Sequence, residues 1–530
     1  MTQWDHCVKS INSDSLDSLI ANFRTLSRSG NDSRLAVIKD KLLLHHSGST
    51  KALNLIAVSE IEQGNLNVAL SLLDRSLAID FEQSLAHLYK SQVFERQKAW
   101  KFALESCNLA IDLKPDLAKA YRLRARLLQH LGRLGEAEAS FQQAVALEPQ
   151  NPEGYFAWAN LMRELGRLED AIAHYDKALA LKPDLVQALN NRGKVLKDLG
   201  HLNDAMVSYE RALTVKPDHL SARLNRAHLL MLKGELRPGW LEYEWRWKTG
   251  ERKQPRRFQQ PRWLGEPVDP GCRLFVWHEQ GLGDAIQMVR YASRLAAMGF
   301  EVVWEAPSAL VPLFSSVTVT SLSVVPAGRD ALCSFDLHCP LMSLPLAVGT
   351  TALTIPETGA YLHANAEKEV NWRGRLGDRQ SLRVGIAWSG SPTHRNDANR
   401  SIALREFATL LELPFEFHCL QKEVRESELE YFLGTRIIDH RQALRDFSET
   451  AALVQQMDLV ISVDTSVAHL AGAMGKRLWL LLPFIPDHRW MMDRPDSPWY
   501  RTASLFRQPA RGNWSDILLL LRDKLARTKQ

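Results

Sequence analysis

The sequence predicts a helical solenoid followed by two parallel α/β domains. Two observations carry that expectation. Residues of matching type recur every 34 positions through the first half, and from Cys272 onward strand-length apolar runs alternate with helix-length segments. A third observation places the function: near the end of the chain, Ile461-Ser462-Val463-Asp464-Thr465-Ser466-Val467-Ala468-His469-Leu470 runs from an apolar strand into a small-residue helix.

The repeats come first. Pro115, Pro149, Pro183 and Pro217 are 34 residues apart, as are Gly132, Gly166, Gly200 and Gly234, with Gly64 in the same register. Small residues keep step at Ala69, Ala103, Ala137, Ala171 and Ala205, and rings at Phe141, Tyr175, Tyr209 and Tyr243. Small residues let paired helices approach closely, and a ring fills the gap between successive hairpins. A glycine opens the tight turn within each hairpin, and proline ends its second helix. This pattern resembles the tetratricopeptide repeat. Repeats are expected at 50–83, 84–117, 118–151, 152–185 and 186–219, with an incomplete one to 250. The second is degenerate: Lys98 replaces the turn glycine and Cys107 the ring. Residues 1–49 read as a helical cap.

Stacked hairpins of this kind leave a concave surface. Asn191 and Asn225 fall at equivalent inner-helix positions, while Leu123 and Ala157 fill the matching earlier ones. The resemblance to repeats of protein O-glycosyltransferases implies asparagines that grip an extended acceptor backbone. Ordinary polar residues on the inner face are the alternative.

Composition narrows the class. The net charge of +5 over 530 residues gives no case for nucleic acid as a partner. The six cysteines (7, 107, 272, 333, 339, 419) form no C-x-x-C pair, which suits a reducing compartment and not a zinc or iron–sulfur site. The opening Met1-Thr2-Gln3-Trp4-Asp5-His6 lacks a signal-peptide pattern, and no apolar run is long enough for a transmembrane helix. A cytoplasmic protein is expected. The basic, proline-rich stretch 251–271 reads as a linker whose Trp and Arg residues dock the two halves, or as a solvated charged face.

The second half breaks near 360–381 into two series, taken as domains 272–365 and 366–530. The first series holds strands at Arg273–Trp277, 301–304, 322–325 and 334–337, with one helix from Asp284 to Ala297. The second holds strands at 382–388, 415–420, 436–438, 459–461 and 477–480. Such alternation builds parallel sheets covered by helices. Asp464 and Thr465 then sit where a strand hands over to a helix, a place for anions. They are also good helix caps without any ligand. The first turn, Gln280-Gly281-Leu282-Gly283-Asp284, gives a ligand close approach to backbone, and Asp284 stands at its helix start, where it also suits capping.

A strand–Gly-Asp–helix turn paired with Ser-Val-Asp-Thr-x-x-x-His is similar to the heptosyltransferase-like branch of the GT-B glycosyltransferases, with Rossmann-type domains. The resemblance covers 272–525. It implies Asp284 as the base beside the acceptor hydroxyl, with Gly283 of the same turn counted among the donor-binding residues. It implies Asp464, Thr465, the N–H of Ser466, and His469 as the donor site. Ser466 stands where the family usually has glycine. Arg400 is the match for the phosphate-contacting basic residue, with Arg395 its rival. Gln421 and Lys422 end a strand at the cleft, where a nucleoside is read. Trp490 lies in Pro486-Asp487-His488-Arg489-Trp490, a place to cover a base or sugar; for Gln421 and Trp490 a structural role is the favoured alternative. The leaving diphosphate would meet Arg, protonated His and helix-end N–H groups. No D-x-D motif is evident, so no metal is expected. The acceptor-side domain, 272–360, is short for this fold.

The function so implied is transfer from a nucleotide-sugar donor to a protein acceptor, such as flagellin or another bacterial surface protein, selected by the repeats. A lipid-linked or oligosaccharide acceptor is the second reading, and an inert adaptor the third.

Overall fold

The computed structural model describes residues 15–29, 32–248, 256, 258–328, 334–356, 359–394 and 396–527. Its packing divides the chain into two units, Met1–Val195 and Leu196–Gln530.

The first unit is helical. Leu16–Ser29 and Asp32–His45 form an opening pair, followed by hairpins such as Thr50–Gln63 with Leu66–Ile79 and Pro152–Glu164 with Leu168–Leu181. The periodic glycines have the conformation that explains them. Gly64, Gly132 and Gly166 take φ of 85°, 74° and 75°, the left-handed region that costs a side chain dearly. In the degenerate repeat Lys98 is forced to φ 60° at the same turn. The small series and the rings Phe141 and Tyr175 are buried, as close helix packing demands.

The second unit opens with the last repeat helices, Leu202–Val215, Leu220–Leu232 and Leu236–Tyr243, and the 3-10 turn Glu244–Lys248. Two all-parallel sheets follow. The first comprises β1 (Arg273–Trp277), β2 (Glu301–Ala306), β3 (Leu322–Pro326) and β4 (Leu337–Pro340), in the order β3-β2-β1-β4. The second comprises β5 (Arg383–Ala387), β6 (Glu416–Cys419), β7 (Leu459–Val463), β8 (Leu478–Leu482) and β9 (Ala503–Arg507), in the order β6-β5-β7-β8-β9. Strand order reverses beside β1 in one sheet and between β5 and β7 in the other. Those are the crevices where such sheets take ligands.

One apolar core runs through this unit. It joins Met231, Trp240 and Tyr243 of the last repeat to Leu274, Ile286 and Trp304 under the first sheet, and to Leu470 and Leu480 under the second. Trp263, from the stretch expected as a linker, is buried in it. Arg246 is also buried. It donates to both carboxylate oxygens of Glu279, at 3.0 and 2.9 Å, and to Glu244 at 2.6 Å. The end of the repeats is thereby fixed to the turn after β1.

Four elements differ from expectation. The strand expected at 334–337 begins at Leu337, because Asp336 pairs with the Arg273 backbone in both directions, at 2.8 and 2.9 Å, and turns the chain there. The 436–438 strand is a single bridge from Ile438 to His418. β9 was not anticipated. The helix expected from Asp284 to Ala297 is two, Leu282–Met288 and Tyr291–Ala297. Arg290 lies at the break, with its guanidinium donating to the carbonyls of Gln287 (3.0 Å) and Trp499 (2.8 Å).

Candidate active site

The turns after β1 and β7 are brought together by direct packing of their two helices, Leu282–Met288 and Ser466–Ala473. Gly283 permits this. A Cβ at that position would lie 2.8 Å from the His469 ring. Gly283 therefore serves the approach of the two domains.

Asp284 accepts from the Gly281 N–H at 2.9 Å through one oxygen and meets Arg489 with the other. The capping reading and the cleft reading are thus both present in one side chain. Arg489 also donates to Asp487 at 2.6 Å and to Gln287 at 2.9 Å. Burial opposes its charge, yet Asp487, Asp284 and Asp464 outweigh that and raise its pKa. Burial likewise acts to raise Asp487, but Arg489 and His488 hold it well below the usual carboxylate range. At Asp464 the balance is opposite: burial first, then the Asp487 charge, push its pKa up.

The β7 turn places Thr465 in extended backbone at the start of the Ser466–Ala473 helix, its side chain making no cap bond. Its hydroxyl pairs with Ser462 at 3.1 Å. Arg400 donates to the Asp464 carbonyl at 3.0 Å, and its Nε has no hydrogen-bond partner. Gly390 makes room for it, since a Cβ there would lie 2.5 Å from the guanidinium. Arg395 lies outside the described residues.

His469 is buried. Its Nδ1 pairs with the Tyr500 hydroxyl at 2.8 Å, its Nε2 is 3.8 Å from Asp464, and its ring stacks on Trp490. Burial and then the Arg489 charge lower its pKa to about 3. These surroundings favour the neutral imidazole over the protonated histidine expected to face the diphosphate.

Gln421 is buried, and its amide is fully engaged. It accepts from the N–H groups of Trp388 (2.5 Å) and Ser389 (2.8 Å) and donates to Ser389 Oγ and the Glu423 carbonyl, each at 3.1 Å. An amide offers two donors and one carbonyl oxygen, so nothing is left over for a base. Gln421 shapes the loop after β5, as its favoured structural reading expects. Lys422 donates to the Arg445 carbonyl at 3.3 Å. Trp490 is fully buried, which suits a structural role.

In the first unit, Asn191 donates to Asn160 at 2.9 Å and accepts from Asn190 at 3.2 Å. The Tyr175 hydroxyl donates to the same Asn160 oxygen at 2.6 Å. Asn191 thus belongs to a side-chain network. Asn225 is half-buried on the Leu220–Leu232 helix.

Sequence reasoning missed Asp487 and Arg489, although the quoted segment Pro486–Trp490 contains both. Their signal was a charged pair just beyond the apolar β8. It also missed the braces of this loop. His488 stacks on His228 of the last repeat, with ring centres 5.5 Å apart, and Arg507 donates to the carbonyls of Trp490 (2.9 Å) and Met491 (2.7 Å). Met491 itself sits at φ 48°, unusual for a side chain and held by those bonds. Among the described residues no group of three His, Cys, Asp or Glu is arranged to hold a metal ion, and no helix is long and apolar enough to cross a membrane.

Comparison with known proteins agrees with both halves of this description. Tetratricopeptide-repeat models match residues 90–157, 159–200 and 186–219. A glycosyltransferase family 9 (heptosyltransferase) model matches 445–481, the segment that contains β7 and its turn. Protein FlbA of Caulobacter vibrioides is 27% identical over 305 residues, 52% of this chain and 50% of that protein, so the match spans about half of the relative's length. Among solved structures, YrrB, described as a TPR protein with an unusual peptide-binding site, is 19% identical with a TM-score of 0.30, covering 35% of this chain and 95% of that one. PilF of Pseudomonas aeruginosa is 17% identical with a TM-score of 0.35, covering 39% and 94%.

Proposed function

We propose that this chain, a tetratricopeptide-repeat array joined to a heptosyltransferase-like pair of α/β sheets, is a glycosyltransferase that moves a sugar from a nucleotide-sugar donor to a protein acceptor chosen by the repeats. One observation carries the reading. The turns after β1 and β7, each at the ligand crevice of its sheet, lie together, with Asp284 on one and Asp464 and His469 on the other.

In this reading the donor's diphosphate lies at the N-terminus of the Ser466–Ala473 helix. There the Ser466 N–H and the Arg400 guanidinium meet its oxygens. Asp284 takes the proton from the acceptor hydroxyl. The acceptor oxygen forms a bond to the anomeric carbon as the bond from that carbon to the phosphate oxygen breaks. The electron pair leaves with the diphosphate, whose added charge the guanidinium and helix-end N–H groups stabilise without a metal. Neutral His469, held by Tyr500, orients and packs and adds no charge. The acceptor is proposed to be flagellin or another surface protein, selected by the repeats.

The test begins with thermal shifts of the full chain against a panel of nucleotide sugars, with donor hydrolysis assayed on those that stabilise it. Asp284→Asn is then expected to lose transfer while donor affinity is kept or modestly improved. Wild-type turnover in that variant would leave Asp284 a capping residue only.

A further inference from the structure

Arg489 has no assigned role, yet it is the most connected charge in the cleft. It comes from the loop after β8, and it reaches the acceptor-side domain at two points, Asp284 and Gln287. Three of its five N–H donors are engaged, by Asp284, Asp487 and Gln287. Its position is strongly determined. His228 and Trp240 pack on neighbouring His488, Arg507 clamps the carbonyls of Trp490 and Met491, and the backbone turns through a left-handed Met491. A loop held this firmly aims its guanidinium at a fixed place. That place adjoins the Asp464 turn, because the next residue, Trp490, stacks on the His469 ring, whose Nε2 is 3.8 Å from Asp464.

From this geometry we infer that Arg489 is a catalytic residue of the transfer: a second guanidinium, with Arg400, for the donor's leaving diphosphate, and one that exchanges Asp284 for phosphate when the donor binds. The inference rests on the glycosyltransferase reading. Phosphate oxygens compete well for a guanidinium, since the fork geometry suits them as it suits a carboxylate. Asp487 keeps hold of the other side of Arg489, so the side chain stays anchored while its Nη2 changes partner. The exchange frees the Asp284 oxygen that Arg489 had held, and that oxygen then accepts the acceptor's proton. Donor binding and base release become one event, so the base is uncovered only when there is a leaving group to expel.

This ordering predicts opposite signs for two partners of one ion pair. Inorganic pyrophosphate is the probe, titrated calorimetrically into the full chain. Arg489→Met is expected to weaken binding by about 10–100-fold, the usual range for losing a charge-assisted contact. Asp284→Asn is expected to tighten it several-fold, because the competing carboxylate is gone. The double variant should match Arg489→Met alone, and Arg489→Lys should recover part of the loss. A merely structural ion pair would give losses for both single variants, or no change, and either result overturns the inference. If Arg489→Met does not fold, Asp284→Asn still decides by its sign. Wild-type protein that binds no pyrophosphate at all sinks the glycosyltransferase reading itself. Wild-type binding with an unaltered Arg489→Met sinks the Arg489 role alone and leaves Arg400 as the phosphate contact.

Discussion

At the scale of single residues, the cleft separates two kinds of basic group that sequence motifs treat alike. Arg400 donates to the Asp464 carbonyl, and its Nε lies 3.8 Å from Asp397. His469 is enclosed, and burial first, then the Arg489 charge, lower its pKa to about 3. A lowered folded pKa means the imidazole is already deprotonated throughout the range from pH 6 to 8, so its charge state does not change there. Arg400→Ala is therefore expected to weaken donor binding about 10–100-fold, as a lost charge-assisted contact does. His469→Asn should cost less, and its cost should be the same at pH 6 and pH 8. Calorimetric titrations with the cognate donor at both values check this. A His469→Asn deficit that grows toward pH 6 would show a protonated imidazole at the diphosphate after all.

At the scale of elements, the repeats were legible because each position has one physical job. The left-handed turn of Gly64, Gly132, Gly166, Gly200 and Gly234 is the clearest case. Lys98 pays for the same turn without being glycine, at φ 60°. Lys98→Gly is expected to stabilise the protein by about 0.5–1 kcal/mol, since relief of left-handed strain exceeds the added chain entropy. Thermal or denaturant unfolding monitored on the wild type and the variant decides it, and a loss of stability would mean that the Lys98 side chain earns its place by contacts. The strands and the two site turns were also legible, since apolar runs and a Gly-Asp or Asp-Thr handover mark them locally. The break in the helix after β1 was not. Arg290, at the break, bonds to Trp499, a partner far along the chain. Arg489 escaped for the same reason: Asp284 and Gln287 are 205 and 202 residues away, and no local pattern encodes such a meeting. Gln421 looked like a ligand contact because it ends a strand at the cleft, but its amide turns back onto its own loop.

At the scale of the molecule, the boundary between the two units does not fall where the repeats end. The last repeat helices belong to the second unit, Leu196–Gln530. Tyr243, at the ring position of the final repeat, receives a bond from Gln280 at 2.6 Å, and Arg246 holds Glu279 beside it, so the turn that carries Asp284 rests on repeat residues. The loop after β8 leans on the same repeat through His228 and His488. A chain shortened to begin at Arg252 would strip Trp240 and Tyr243 from the shared core and leave a large apolar face in water, so it is expected to aggregate. A chain that begins at Val186 keeps the whole Val186–Asp198 helix and everything after it. It is expected to stay soluble and monodisperse, to hydrolyse the nucleotide-sugar donor at the full-length rate, and to lose transfer to the protein acceptor, because the earlier repeats that supply most of the inner face are gone. Gel filtration and parallel hydrolysis and transfer assays measure each part. Transfer to protein at the full-length rate by the shortened chain would mean that the earlier repeats do not choose the substrate, and that acceptor recognition lies within the last repeat and the sheets it braces.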